Sequence, residues 1–98
     1  MASWGDVQVY NEMIEELGSF CKSIVEAVGI MDTAATTCKD NMENDEASLK
    51  AYTNVAKSEK LYLEAAQMAD HLSKELAEER DALIEYLRGL DELDGGSE

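Results

Sequence analysis

Proline is absent from the 98 residues, so nothing in the chain forces a helix to kink or stop. Basic residues are scarce: 8 Lys and Arg stand against 22 Asp and Glu, for a formal net charge of −14. That balance disfavours nucleic-acid binding, whose phosphate contacts require Lys and Arg, and docking on anionic membranes. It suits a solvated acidic surface, a basic partner, or mimicry of nucleic acid. Long apolar runs are also missing, since no stretch approaches the ~20 residues that span a bilayer. The first residues lack a basic region followed by an apolar core. The expectation is a chain that stays in the cytoplasm or leaves it by a leaderless route.

Sulfur and imidazole are equally sparse. The 2 cysteines, Cys21 and Cys38, are too few for a disulfide framework. On one helix they stand roughly 25 Å apart, beyond bridging distance. Both read as small buried apolar residues. The single histidine, His71, falls beside Asp70 and near Lys74 and Glu75 on a charged helix face, pointing away from both thiols. No Glu-x-x-His motif of bundle metal sites, no twelve-residue calcium loop and no Gly-rich phosphate loop is present. The expectation is a non-enzyme without cofactor or metal.

What the chain does have is periodicity. Val7, Tyr10, Ile14, Leu17, Cys21, Ile24, Val28, Met31, Ala35, Cys38 and Met42 alternate steps of three and four. That heptad seam predicts one helix over about 5–42. Ser3 followed by Asp6 is a capping-box variant at its start, and Trp4 is either an apolar staple there or exposed to a partner. Gly18 and Gly29 each disfavour the helix by about 1 kcal/mol against Ala. A break near Gly29, with Asp32 capping a new helix, is the alternative to a continuous element. Glu12, Ser19, Glu26, Thr33 and Asp40 form the polar far face. Met13, Phe20, Ala27 and Ala34 widen the apolar stripe on one flank, which implies burial against more than one neighbour.

The apolar period lapses at Lys39–Glu46, and the turn is expected at about 43–45, with Asn44 as a cap for the next helix. A second helix is predicted over about 45–90. Its seam is traced through Ala51, Val55, Tyr62, Ala65, Ala69, Leu72, Leu76, Leu83, Tyr86 and Leu90. Ser48, Ser58 and Glu79 interrupt this seam, while Tyr52, Leu61, Ala66, Met68 and Leu87 flank it. As the one carboxylate on the seam, Glu79 is expected near a bundle end or paired with Arg80 of a symmetry mate. The acidic, glycine-rich residues 93–98 read as a disordered tail. Two helices joined by a short turn pack as an antiparallel hairpin, so the fold class is all-α. A two-layer hairpin leaves its flanks wet, and dimerisation into a four-helix bundle would cover them. Met13, Phe20, Leu61 and Met68 are the candidate partner-binding residues.

This outline resembles the WXG100 (Esx-like) family of leaderless proteins exported by type VII secretion, in length, acidity, hairpin layout and turn position. Met42-Glu43-Asn44 falls where that family carries its Trp-x-Gly turn, with Met42 in the Trp place and Asn44 in the Gly place. Ala47 and Tyr52 look like the small and aromatic positions that begin the family's second helix. The family's export signal, Tyr-x-x-x-Asp/Glu, is approximated by Tyr86 with Asp91 one residue late, and by Leu87-x-x-x-Asp91 at the correct spacing. The divergent turn fits the small accessory proteins that pair with LXG toxins better than the secreted homodimers. The resemblance implies protein binding as the activity, as secreted substrate or as targeting partner of a larger toxin. It implies the secretion ATPase as a further partner, reading the end of the second helix. An acidic cytoplasmic inhibitor or DNA mimic is the alternative from another class. A structural coiled coil, or a chaperone of another secretion system, is the third.

Overall fold

The computed structural model describes residues 1–41 and 46–96. Helix α1 spans Trp4–Asn41 and helix α2 spans Glu46–Gly96. The chain is all-α, and the two helices form an antiparallel hairpin. Met42 and Asn44, the expected turn residues, lie outside the described residues. Helix α1 runs through Gly18 and Gly29 without a break, as its unbroken heptad phase requires. Helix α2 continues to Gly96, past the expected end at Leu90 and into the stretch 93–98 read as a tail. No proline stands there to stop it, and Leu90 and Leu93 keep the apolar spacing.

The start of α1 is held by half of a capping box. The Ser3 amide donates to the Asp6 Oδ2 at 2.7 Å, and the Asp6 amide donates to the Ser3 carbonyl at 3.0 Å. The Ser3 hydroxyl also donates to the Asp6 carboxylate, at 3.5 Å, instead of accepting from the backbone. The carboxylate sits in the first turn, where the helix dipole favours it.

The hairpin divides into two compact units. Unit 1 is Met1–Ser19 with Asp70–Glu98, and unit 2 is Phe20–Ala69. In unit 1, Val7 and Leu87 are buried, with Tyr10, Ile14, Leu17, Leu76 and Leu83 half-buried around them. In unit 2, Ala35 and Ala69 are buried, and Cys21, Ile24, Val28, Met31, Cys38, Val55, Ala65 and Ala66 are half-buried. The Cys21 thiol donates to the Ala66 carbonyl at 3.5 Å. Asp32 meets Glu59 further along. The partner number falls as the α1 number rises, which is the antiparallel register of unit 2.

Every described member of the α1 seam is buried or half-buried, and every residue of its polar far face is exposed. The α2 seam needs correction. Ala51, Tyr62, Leu72, Tyr86 and Leu90 are exposed, whereas Ser73, Arg80 and Leu87 face inward. The buried face is therefore turned by one residue along part of the helix. Glu79 explains the turn. A carboxylate on the seam loses hydration without a compensating partner, whereas Arg80 lays its aliphatic stem in the seam and carries its charge out. The Arg80 Nη1 donates to the Asn11 Oδ1 at 3.0 Å, and its other nitrogens reach the Asp81 carboxylate. Glu79 lies exposed and accepts from the Tyr10 hydroxyl at 3.2 Å.

Candidate functional site

The heptad geometry gives each helix a flank beside its seam. On α1 this flank carries Met13, Phe20, Ala27 and Ala34, with Val9 and Ile30 one turn further out. On α2 it carries Ser58, Ala65, Leu72, Glu79 and Tyr86, with Leu61 and Met68 further out. Antiparallel packing turns both flanks to the same side. In unit 1 this side is an open groove lined by Asp6, Val9, Met13, Leu76, Glu79 and Leu83.

Of the residues expected to bind a partner, Phe20 is 45% exposed, Leu61 64% and Met68 73%, while Met13 is half-buried in the groove of unit 1. Phe20, Leu61 and Met68 all belong to unit 2. Ile30, 72% exposed, joins them there and was not among the expected residues. Its signal was available in the sequence: Ala27, Ile30 and Ala34 follow the three-then-four spacing of a second apolar row outside the seam.

The two flanks differ in charge. In unit 2 the flank positions are Phe20, Ser23, Ala27, Ile30, Ala34 and Thr37 on α1, and Asn54, Ser58, Leu61, Ala65 and Met68 on α2. None carries a charge, in a chain with 31% charged residues. In unit 1 the same positions hold Asp6, Glu16, Glu75 and Glu79, and no Lys or Arg. The opposite side of unit 2 carries Lys22, Asp32, Lys39 and Lys60.

Among the described residues two titrations are displaced. Burial, then the charge and hydrogen bond of Glu79, raise the Tyr10 hydroxyl above its usual value. The hydrogen bond to Asp32, followed by burial and by the charge of Asp32, raises the Glu59 carboxyl. His71 pairs with Glu75 at 3.0 Å on the solvated face, beside the Lys74–Asp70 pair at 3.0 Å. Among the described residues no group of three or more His, Cys, Asp or Glu side chains is placed to hold a metal. No described helix is long and apolar enough to cross a membrane.

The export-signal residues separate. Tyr86 is 59% exposed and Asp91 is exposed, whereas Leu87 is buried in the seam of unit 1 at 6%. Tyr86 and Asp91 are available to another protein, and Leu87 is occupied by packing. No protein-family model, no curated protein and no solved structure matches the chain.

Proposed function

We propose that the chain is a helical-hairpin binding protein of the type VII secretion kind, acting as a secreted substrate or as the escort of a larger LXG-type toxin. Its activity is binding alone, without catalysis or cofactor. The observation that carries the reading is the apolar flank of unit 2, where Phe20, Ile30, Leu61 and Met68 stand exposed on rigid helices. Helices of a partner laid on this flank complete a four-helix bundle, with apolar knobs set between small residues. The exposed end of α2, with Tyr86 and Asp91, is the part offered to the secretion ATPase.

The test is export of the chain, or of its toxin partner, from a host with an active type VII system. Tyr86→Ala with Asp91→Ala is expected to abolish export while far-UV circular dichroism stays unchanged. Normal export of this double variant would sink the signal assignment. Leu87 is left intact, because its burial ties it to folding. The acidic-inhibitor reading is favoured by one observation, the base-free acids Asp6, Glu16, Glu75 and Glu79 in unit 1. It requires salt-sensitive capture of a basic protein, and fails if capture does not weaken as salt is raised.

A further inference from the structure

We propose that the side of unit 2 opposite its apolar flank is a docking strip for an acidic amphipathic helix of another protein. The proposal depends neither on export nor on that flank. Helical spacing puts Lys22, Val25, Asp32 and Lys39 of α1 on this side, with Leu49, Lys60 and Leu63 of α2 beside them. Val25, Leu49 and Leu63 are exposed, so the strip offers apolar surface between its bases.

The bases of this strip are uncompensated. In unit 1, Lys74 reaches Asp70 at 3.0 Å and Arg80 reaches Asp81 at 3.1 Å. In unit 2, Lys50 reaches Glu46 at 3.7 Å. Lys22, Lys39 and Lys60 form no ion pair among the described residues, in a chain with 22 Asp and Glu. Asp32 stands between Lys22 and Lys39 along α1, yet it meets Glu59 and not a lysine. At physiological salt the Debye length is about 8 Å, so the distant acids of the chain do not cancel the positive field of these three ammonium groups.

Register and width select the occupant. The contacts of Cys21 with Ala66 and of Asp32 with Glu59 place Val25 near the level of Leu63 and Lys39 near that of Leu49. They set Lys60 about two turns from Lys22, roughly 10 Å along the axis. From Lys22 to Lys39 the strip is roughly 25 Å long. The exposed Glu26 and Glu64, on the outer faces of α1 and α2, bound it on either side. A nucleic-acid duplex or a bilayer is broader than the strip and meets those acids, whereas one helix, about 10–12 Å across, seats between them. The apolar stripe of such a helix covers Val25, Leu49 and Leu63. Acids about seven residues apart, on the two edges of its stripe, match the spacing of Lys22 and Lys60.

The experiment is fluorescence anisotropy of the full chain with a labelled synthetic helix of about 18 residues, long enough to cover the strip. Its leucines repeat at steps of three and four, and glutamates stand on both edges of that stripe. Binding is expected. Lys22→Glu and Lys60→Glu should each weaken it about fivefold, by reversing a charge at the rim of the contact. Leu63→Ser should weaken it about tenfold, by removing apolar contact. All three residues are exposed, so far-UV circular dichroism should show unchanged helix. Lys57→Glu makes the same change of charge outside the strip and is expected to bind as the parent does. Absence of binding up to about 1 mM overturns the proposal. So does a loss in Lys57→Glu equal to that in Lys22→Glu, which would report net charge alone. Equal binding of the same helix with its leucines replaced by serine would also overturn it. Capture of double-stranded DNA or of phosphatidylserine vesicles that Lys22→Glu abolishes would overturn the occupant.

Discussion

In unit 1, α2 contributes Leu76, Leu83 and Leu87 to the seam, and the rim is tied by Tyr10 to Glu79 and by Arg80 to Asn11. In unit 2, α2 contributes Ala65, Ala66 and Ala69, and the ties are a thiol on a carbonyl and a pair of carboxyls. Most of the large apolar residues that α2 carries in unit 2 are instead exposed, Leu61 and Met68 among them, as are Phe20 and Ile30 on α1. Helix α2 thus turns more of its large apolar side chains inward in unit 1 than in unit 2. Alanines let backbones approach but remove little apolar area from water, so unit 2 has more to gain from a neighbour.

The sharpest test of this contrast is truncation in unit 1. Leu87→Ala is expected to lower unfolding free energy by about 2–4 kcal/mol in urea titrations, the range for deleting a buried leucine side chain. A loss well under this would mean that unit 1 is no better packed than unit 2. Enlargement is the matching test in unit 2. Ala69→Leu should destabilise by about 1–3 kcal/mol through overpacking, and a neutral result would deny the close approach of the helices there.

A smaller effect of opposite sign is expected at Gly29, also in unit 2. An added Cβ meets nothing within 4 Å, so Gly29→Ala should stabilise the helix by about 1 kcal/mol in the same titration. Destabilisation would show that the glycine answers to a contact with a partner or to a break in the helix.

The smallest effect concerns the carboxyl pair. Hydrogen bonding to Asp32 favours the protonated form of Glu59 in the folded chain, so its pKa is raised above the ordinary 4.5. The stabilising contribution is present in full below that value and is lost as pH rises through the raised one. Glu59→Gln keeps a neutral donor at all pH values. Its melting temperature should exceed that of the parent slightly at neutral pH, and the gap should close on acidification. A gap independent of pH would remove the shared proton from the account.

Helix α1 was legible in the sequence because its apolar residues keep one phase from Val7 to Cys38 and its polar residues keep the opposite one. Helix α2 was legible as a helix but not in its rotation. Val55, Tyr62, Ala69, Leu76 and Leu83 fit two heptad frames that differ by one residue at the remaining positions. Apolar content favours the frame with Leu72 and Tyr86, whereas the desolvation of Glu79 and the long stem of Arg80 decide for Ser73, Arg80 and Leu87. That choice depends on what faces α2 from α1, which no pattern within α2 records. The partner-binding residues were legible where they flank the seam, and Ile30 escaped because it stands one row further out.

The hydroxyl of Ser58 donates to the Asn54 carbonyl at 3.0 Å, one turn back in its own helix. Thr53 and Thr33 do the same, to Leu49 at 2.8 Å and Gly29 at 3.0 Å. A hydroxyl that already has an acceptor does not depend on solvent for one. Ser58 therefore brings a polar atom to the flank of unit 2 without bringing a claim on water. A neighbour seated over that position leaves no hydroxyl donor of Ser58 unmet, so drying it there carries little penalty.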